Sequence, residues 1–516
     1  MIKYINDFGI EPNSSDEAGE AFARAIDFCR AQNGQSVVLK LKPGTYNFYA
    51  ENAIKKVYYI SNTSTNIEVP EKTKHIGVLF DGVKNITLDG CGSELVFHGK
   101  FTQIVFDRSE NITVMNLMTD YSRPTMSEIT AIKRTTRYCD FTVNEDSAYE
   151  VRDGFAVWTG RNFEYITGPT QIFDGEKTWR CKDFGYRYAE QKDGFLRFYG
   201  EKTGVKVGQK LQIRDGIRDE VGMFAVHSKD ITLIDVTAHY FHGMGFLGQF
   251  SENITLDRFN TVPNKKKGRT NSCFADSIHI SGCKGKLVIK DGEFDGTQDD
   301  ILNVHGTHLK IVEINDKNTL TVRFCHGQTY GFEAFFAGDE VELVNENTLL
   351  AYQTNYVVSA ELVNEYEMKL TLKDAIPDGV MIGNVVENVT WQPEVEFIGN
   401  KIRNDPTRGV LLSSRKRTVV KNNEFYKTGM SAVLIADDAR SWFESGHAYD
   451  VVIENNRFIE CGEPTVFINP ESSKRVEDGY IHKNIRIENN EIVGSCKCFV
   501  SAKSVDGLTV CGNTFT

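Results

Sequence analysis

The sequence predicts an all-β fold, a right-handed parallel β-helix, over most of a chain of 516 residues. One short phrase, Asn or Asp followed by Ile-Thr, begins at positions 85, 111, 230 and 253. A second phrase near the C-terminus places an Asn at 400, 423, 456, 490 and 513, so its intervals are 23, 33, 34 and 23 residues. A coil of three brief strands with tight turns needs about 23 residues, and such coils stack at roughly 4.8 Å.

The repeated phrases distinguish this fold from its closest alternative. An antiparallel sandwich with regular strands would show hairpin turns rather than the regular return of one phrase. Asn suits the tight bends of a coil because it tolerates left-handed backbone angles. The Asn-Ile-Thr triplets also match glycosylation acceptors, but their repetition at coil spacing favours turn elements.

The N-terminus carries the pattern of one helix. Residues 14–17 read Ser-Ser-Asp-Glu, which predicts an N-cap and an acidic first turn. An amphipathic helix to about Gln32 is predicted from apolar residues at Phe22, Ala25, Ile26 and Cys29. We expect this helix to cover the first coil, because a bare terminal coil would expose its core and edge. The strand at 37–39 and the Pro-Gly-Thr-Tyr turn at 43–46 begin the coils.

Two stretches interrupt the coil period with alternating aromatic strands and turn residues. Both are typical of small antiparallel β modules inserted between coils. The predicted organisation is a cap helix and first coils at 1–124, a β module at 125–219, coils with the candidate catalytic residues at 220–309, a second β module at 310–392, and C-terminal coils at 393–516.

Composition restricts the class of partner. A net charge of −12 and a pI near 5.5 argue against nucleic acid or an anionic membrane surface as the main partner, whereas a neutral sugar fits.

Eleven cysteines without a CxxC pair predict buried reduced thiols rather than a zinc site. The start lacks an apolar leader and no stretch is long enough to span a membrane. We therefore expect a cytoplasmic protein, or a secreted or periplasmic one whose leader has been removed.

Three aspartates are the main candidates for chemistry. Residues 274–280 read Phe-Ala-Asp-Ser-Ile-His-Ile, and residues 296–306 read Gly-Thr-Gln-Asp-Asp-Ile-Leu-Asn-Val-His-Gly. Asp276 and Asp299 are 23 residues apart, so Asp276 and the Asp299-Asp300 pair are predicted on one face of adjacent coils. Adjacent aspartates can serve one site only across a bend, which the Gly-Thr pair at 296–297 offers.

Carboxylates brought together repel, which raises at least one pKa and retains a proton near neutral pH. Glycoside hydrolysis needs one protonated acid and one ionised base, about 6.5–9.5 Å apart if water attacks directly and inverts the anomeric centre. An Asp-Asp pair also fits a solvated turn or a calcium site. The third aspartate in register favours catalysis, as do His279, Asn303 and His305, which can bond sugar hydroxyls. His305, before a glycine, equally fits a coil turn.

The segments at 275–279 and 298–306 resemble the signature of glycoside hydrolase family 110, the exo-acting α-1,3-galactosidases, which are related in fold to polygalacturonases. Further matches lie at 243–249, Gly-Met-Gly-Phe-Leu-Gly-Gln, and at 436–446, Ala-Asp-Asp-Ala-Arg-Ser-Trp-Phe-Glu-Ser-Gly. With the two inserted modules, the resemblance covers nearly the whole chain.

The resemblance implies hydrolysis of terminal, non-reducing α-1,3-linked galactose with inversion, on a galactose-terminated oligosaccharide and without a metal or organic cofactor. By analogy with polygalacturonases, Asp299 would be the acid, while Asp276 and Asp300 would hold the attacking water. Some members accept the fucosylated blood group B branch and others only linear substrate. The sequence leaves this choice open, and also whether the chain forms a homodimer.

Other side chains are candidates for binding the sugar. The Trp442 indole can cover the apolar face of galactose and Glu444 can accept bonds from neighbouring hydroxyls, although both also fit a loop packed on the coil edge. The remaining substrate-binding candidates are His279, Gln298, Asn303, His305, Gln249 and His242.

Rival functions remain on the same scaffold. A β-helix polysaccharide lyase would need calcium, an Arg or Lys base and a groove for uronates, which the aspartate trio and the acidic chain do not favour. A polygalacturonase-like hydrolase would share the trio. In a non-catalytic carbohydrate-binding or structural β-helix the aspartates would be incidental.

Overall fold

The computed structural model describes residues 1–181 and 184–516, and its coils form a parallel β-helix. One face of the helix, which we call the site sheet, is a ladder of successive parallel strands. Its strands are Thr73–Asp81, Thr102–Asp107, Val221–Val226, Met244–Gln249, Ile278–Ser281, Leu302–Ile314, Val410–Leu412, Ser431–Ile435, Gly462–Ile468 and Val500–Ala502. The short strand Ile54–Val57 pairs antiparallel with the first of them.

The other faces of the coils are also parallel and merge into one sheet, because several long strands continue around a corner. The first group is Ile2–Tyr4, Val37–Lys40, Lys84–His98, Glu110–Tyr121, Lys229–Ala238, Glu252–Thr261, Lys284–Lys290, Glu394–Ile398, Thr418–Lys421, Val451–Glu454, His482–Glu488 and Val505–Cys511. The second group is Thr45–Tyr49, Glu293–Asp295, Lys401–Arg403, Glu424–Tyr426, Arg457–Ile459, Glu491–Val493 and Thr514–Phe515.

Buried apolar side chains fill the interior of the coils and repeat from coil to coil. The rings of Phe294, Phe397, Phe425 and Phe458 follow one another with centroid separations of 6.4, 6.4 and 5.2 Å. Each ring is at most 1% exposed. Such stacked layers form a core that grows with the number of coils, while the two inserted segments have smaller cores of their own.

The Asn repeat has two structural roles. The first Asn of each pair, at 422, 455 and 489, adopts left-handed φ angles of 57°, 55° and 56°. The second Asn turns inward, and its Oδ1 accepts the backbone N–H of the Asn one coil earlier at 2.8–3.0 Å. The prediction of Asn bends is therefore confirmed for the first position, while the second forms a buried ladder that the sequence analysis did not foresee.

The N-terminal helix is Gly19–Ala31, and Phe22, Ala25, Ile26 and Cys29 are buried as predicted. The predicted cap at 14–17 is wrong in detail. The N-cap residue is Ala18, which makes no side-chain cap bond. Glu17 Oε1 accepts the Gly19 N–H at 2.7 Å, and its other oxygen accepts the Tyr49 N–H at 2.8 Å. These two hydrogen bonds of Glu17 thus connect the helix to the first coils. Short 3-10 helices are Ile5–Phe8, Ala50–Asn52 and Lys265–Lys267.

Two antiparallel modules interrupt the coils, as predicted. The first contains a seven-stranded sheet and a three-stranded sheet. The larger sheet comprises Met126–Arg134, Tyr138–Val143, Thr170–Phe173, Thr178–Arg180, Tyr188–Lys192, Phe195–Tyr199 and Lys210–Arg214. The smaller one comprises Ala148–Arg152, Phe155–Thr159 and Glu164–Tyr165.

The second module grows directly out of the site sheet, because Leu302–Ile314 begins as a coil strand and ends inside the module. Its other strands are Thr319–Arg323, Glu340–Val344, Ala351–Asn364, Glu367–Leu372 and Val385–Asn388. The small strand Glu444–Ser445 pairs antiparallel with residues 306–307, next to the point where the module leaves the coils.

The cysteines follow the prediction only in part. Cys29, Cys139, Cys273 and Cys283 are buried, and burial raises the pKa of each thiol, whereas Cys325 and Cys511 are exposed. Within the described residues, no helix has the length and apolar character needed to cross a membrane.

The buried asparagine ladder is expected to contribute measurably to the stability of the fold. Asn456→Ala removes bonds to the Asn423 N–H, to the Val420 carbonyl and to Asn490 Oδ1 inside the core. We expect the free energy of unfolding to fall by about 2–4 kcal/mol, because several buried groups lose partners worth about 1–3 kcal/mol each. Urea denaturation followed by circular dichroism measures this loss. The exposed Lys401 gives the control, and equal midpoints for Lys401→Ala and Asn456→Ala would contradict a stabilising ladder.

Candidate active site

The three aspartates lie where two coils enter the site sheet. Asp276 precedes Ile278–Ser281, and Asp299 and Asp300 precede Leu302–Ile314. These strands pair with Ile278 opposite Leu302, so Asp276 is level with Asp300 rather than with Asp299. The sequence spacing of 23 was therefore one short of the real register. A bend is present at Gln298 and Asp299, directly after the Gly-Thr pair at 296–297 that was expected to provide it.

The structure brings the trio together. One carboxylate oxygen from each of Asp276, Asp299 and Asp300 lies within 4.8 Å of those of the other two. These distances join single oxygen atoms, and they are shorter than the separation of about 6.5–9.5 Å between acid and base that direct attack by water was expected to need. A water molecule that bonds an oxygen on either side at about 2.8 Å spans such a gap. The trio can therefore hold one water between two of its members.

Three guanidinium groups surround Asp299. Arg218 and Arg180 contact its two oxygens at 3.2 and 3.4 Å, and Arg408 lies 3.9 Å away. Burial alone raises the pKa of Asp299, but these arginines hold it below its ordinary value. Asp299 is thus ionised in the free protein. This is opposite to what the resemblance implies for the acid, because a general acid must carry a proton.

The other two members of the trio retain protons more readily. Burial raises the pKa of Asp276 to about 7, and the charge of Asp299 adds to this effect. Burial also holds the pKa of Asp300 well above its usual value, although Arg408 donates to it from Nε at 2.7 Å. The predicted retained proton is therefore present near neutral pH, on Asp276 or Asp300.

Two histidines connect Asp276 to Glu444. His279 Nδ1 lies 2.8 Å from Asp276 Oδ2, and His279 Nε2 lies 3.0 Å from His305 Nε2. His305 Nε2 in turn lies 3.6 Å from Glu444 Oε1. Burial lowers the pKa of His279 to about 4 and also lowers that of His305, so both rings are neutral near pH 7.

Glu444 is held ionised within this group. Burial alone raises its pKa, but His305, His279 and an amide donor from Asn303 lower it below its ordinary value. Asn303 Nδ2 lies 3.4 Å from the carboxylate. Asn62, from the loop after Ile54–Val57, donates to Glu444 Oε1 at 2.7 Å. The site thus unites four of the predicted residues beyond the trio: His279, Asn303, His305 and Glu444.

Trp442 lies on the loop that carries Glu444. The Asp438 carboxylate accepts backbone N–H groups from Arg440 and Ser441, which folds this loop tightly. The Trp442 side chain is 40% exposed, and its ring lies 4.2 Å from that of His326 in the second module. Trp442 is therefore available to a ligand, although its contact with sugar stays a prediction.

Two predicted glutamines have other partners. Gln298 Nε2 donates to Gln212 Oε1 at 2.8 Å, so this amide joins the first module to the coil instead of facing a ligand. Gln249 Oε1 accepts the Ser61 N–H at 2.8 Å and its Nε2 donates to the Tyr59 carbonyl at 3.1 Å. Both groups of Gln249 are thus used to hold the loop that contains Asn62.

His242 is also outside the set that faces a ligand. It is fully buried, and its ring nitrogens lie 2.5 Å from Thr125 Oγ1 and Asp219 Oδ1. Since both nitrogens are occupied by protein partners, its predicted contact with substrate is wrong in this structure. These partners, Thr125 and Asp219, lie at the two ends of the first inserted segment and are not visible in the local sequence around His242.

Sequence reasoning missed the three arginines beside Asp299 and two further side chains, Asn62 beside Glu444 and His326 beside Trp442. Arg180 and Arg218 come from the first module and the segment after it, and His326 comes from the second. Only Arg408 had a usable signal, because the pairing of Leu302 with Val410 places it level with Asp300 one coil later. Reading that signal requires the length of the second module, which the coil period does not give.

Metal-binding residue types do cluster among the described residues. The groups are Asp276, Asp299 and Asp300; His279, His305 and Glu444; and Glu342, Glu387 and His447. In the first and third groups arginines contact the carboxylates, and in the second the two histidines contact each other. These donors therefore already have protein partners, and the expectation of a metal-free site stays a prediction.

The chain is similar to known proteins in its sequence and in its fold. Residues 319–386 match the family model of the GLAA-B β-barrel domain II, and residues 368–515 match that of the right-handed β-helix region. The A-module of a mannuronan C-5 epimerase from Azotobacter vinelandii aligns over 99% of both chains, at 12% identity and a TM-score of 0.41. That score is too low to support an argument about this chain.

Two curated relatives align over nearly the whole chain. α-1,3-Galactosidase A of Bacteroides thetaiotaomicron is 40% identical over 95% of this chain and 88% of its own length. α-1,3-Galactosidase B of Parabacteroides distasonis is 33% identical over 99% of this chain and 87% of its own. Identity at this level over this length, together with the β-helix and the second module, shows that the chain belongs to the α-1,3-galactosidase family that its motifs resemble, glycoside hydrolase family 110.

Proposed function

We propose that this protein is an exo-acting glycoside hydrolase that removes terminal, non-reducing α-1,3-linked galactose from oligosaccharides. The curated relatives bear the name of this activity. The observation that carries the proposal is the trio of buried carboxylates, of which Asp299 is held ionised while Asp276 and Asp300 retain protons. Such a set contains both the acid and the base that hydrolysis of a glycoside requires.

The positions of the carboxylates suggest how the work is divided. Asp276 and Asp300 are level in register and can hold the attacking water between them. Asp299 is the most exposed of the three, at 9% against 4% and 1%, so it is best placed to reach the glycosidic oxygen. Because their oxygens lie within 4.8 Å, a bridging water can carry a proton from a neighbour to Asp299, which then delivers it.

Water, rather than a carboxylate, is the proposed nucleophile. A covalent intermediate needs a carboxylate that can approach the anomeric carbon to bonding distance. Asp299 is held by Arg218 and Arg180, and Asp300 by Arg408. Asp276 is held by His279. These contacts oppose such an approach, whereas a bridging water needs no movement of the trio.

The first prediction concerns the substrate and the product. The protein should release galactose from α-1,3-galactobiose and leave α-1,6-galactobiose intact, and early NMR spectra should show β-galactose, since water attacks opposite the leaving group. The blood group B trisaccharide belongs in the same series, because it shows whether the fucosylated branch is accepted. Early release of α-galactose would contradict direct attack by water, and no release from the α-1,3 disaccharide would overturn the proposed function.

The second prediction concerns the trio. Asp276→Asn, Asp299→Asn and Asp300→Asn should each lower kcat by at least about a hundredfold, because general acid or base groups contribute roughly 10²–10⁴-fold and Asn cannot transfer the proton. Folding should be nearly unchanged in thermal denaturation. A control is Asp235→Asn, an exposed aspartate on another face that pairs with Arg258. Full activity in all three trio variants would refute the site.

The leaving group separates the roles within the trio. If Asp299 delivers the proton, Asp299→Asn should lose less activity on p-nitrophenyl α-galactoside than on galactobiose, because p-nitrophenol leaves with little protonation. The same partial rescue in Asp276→Asn or Asp300→Asn, and not in Asp299→Asn, would transfer the acid role to that residue.

A third prediction concerns metals. Because the proposed mechanism uses proton transfer, treatment with EDTA followed by removal of the chelator should leave kcat and KM unchanged. Metal analysis of the treated protein verifies that divalent ions are absent. Loss of turnover that calcium restores would instead favour a lyase or a calcium-dependent site.

A further inference from the structure

We propose that His279 and His305 form a proton relay that holds a proton on Asp276 in the free enzyme and connects it to Glu444. The inference rests on the proposed function, because it concerns a group of the same site. Neither histidine reacts with substrate in this account. Both are positioning residues that act through Asp276.

The direction of the relay follows from the contact between His305 and a backbone carbonyl. His305 Nδ1 lies 2.5 Å from the Gly306 carbonyl oxygen, which can only accept, so Nδ1 carries the hydrogen. A neutral imidazole has one N–H, and His305 Nε2 is therefore an acceptor. Its partner 3.0 Å away, His279 Nε2, must then be the donor.

The hydrogen on His279 determines the protonation state of Asp276. With its hydrogen on Nε2, neutral His279 can only accept at Nδ1. The atom that faces Nδ1 at 2.8 Å is Asp276 Oδ2, which must donate and hence carries a proton. One backbone carbonyl thus fixes the tautomers of two histidines and the protonation state of a member of the trio.

The charges around the relay fit this state. Asp276 faces the charged carboxylates of Asp299 and Glu444, which oppose a further negative charge, and the guanidiniums of Arg218 and Arg408, which favour one. Glu444 is the charged group that both histidines share. Burial keeps both rings neutral, which the tautomer argument requires.

The relay can also take the proton from Asp276 and leave its carboxylate ionised. The Asp276 O–H bond breaks as its proton moves to His279 Nδ1, while the His279 Nε2 proton moves to His305 Nε2. The products are an Asp276 carboxylate, a neutral His279 and a His305 imidazolium, 3.6 Å from the Glu444 carboxylate. No proton is gained or lost, so Asp276 can become the base that accepts a proton from water.

The relay also affects how readily Asp276 loses its proton to solvent. If Asp276 ionises alone, His279 moves its hydrogen to Nδ1 to donate to the carboxylate. Two unprotonated nitrogens then face each other across 3.0 Å. Since this repulsion is absent when Asp276 is protonated, the relay favours the protonated form. Removing the His305 acceptor should therefore lower the pH at which Asp276 ionises.

The first test reads the tautomers directly. In histidine-¹⁵N-labelled protein at pH 6, long-range ¹H–¹⁵N spectra should show hydrogen on Nε2 of His279 and on Nδ1 of His305, with signals assigned by His279→Gln and His305→Phe. Between pH 5.5 and 8.5 the His279 tautomer should change with a midpoint of about 7, the pKa of Asp276. Hydrogen on His279 Nδ1 at pH 6, or no change across this range, would overturn the relay.

The second test uses activity. In His305→Phe, which keeps an aromatic ring but removes the acceptor, the limb of the kcat/KM profile near pH 7 should move to lower pH by at least about half a unit. The control is His239→Phe, a half-buried histidine outside the site whose Nδ1 lies 3.0 Å from the Val262 carbonyl oxygen. A His305→Phe profile that is scaled down but not shifted would show a packing role and contradict the relay.

The outcomes distinguish a failure of the relay from a failure of the proposed function. The tautomer measurement needs no substrate and no variant that must fold, apart from the signal assignment. Absence of turnover on galactosides with the expected tautomers present would count against the proposed function alone. Turnover with the opposite tautomers would count against the relay alone.

Discussion

The parallel register between coils is the constraint on which the site depends. A shift of one residue in a strand turns its side chains to the opposite face of the sheet. The pairing of Ile278 with Leu302 places Asp276 level with Asp300, and the pairing of Leu302 with Val410 adds Arg408 at the same level. In the C-terminal coils, the buried asparagine ladder makes a slip costly, because a slipped coil would leave amide groups without partners.

Charge compensation is the second requirement of the site. An ionised carboxylate in a protein interior costs several kcal/mol unless a cation or hydrogen bonds offset that cost. Arg218, Arg180 and Arg408 provide this for Asp299. Asp276 has no arginine bond among the described residues and instead contacts a neutral histidine. The three carboxylates therefore differ in proton affinity although they lie within 4.8 Å of one another.

Local patterns in the sequence were sufficient for the coils, the cap helix and the trio, because each depends on residues close in sequence or on a fixed period. The side chains of Gln298, Gln249 and His242 could not be placed in this way. Gln249 ends a coil strand, while His242 and Gln298 lie in the bends before two others, and the bonding partner of each comes from a distant segment. The role of Asp299 was obscured for the same reason, since Arg180 and Arg218 reach it from 119 and 81 residues away.

The first module has a consequence for the architecture of the whole chain. In a coil stack, a segment inserted between two strands can usually vary or disappear, since each coil contacts only its neighbours. Here the insertion and the segment that joins it to the next coil strand supply Arg180 and Arg218, two of the three guanidiniums within 4 Å of Asp299. A shortened chain that joined the flanking coils directly would keep every strand of the stack, yet it would bury a carboxylate without most of its countercharge. The insertion and the coil it covers are therefore one electrostatic unit, and either can change only together with the other.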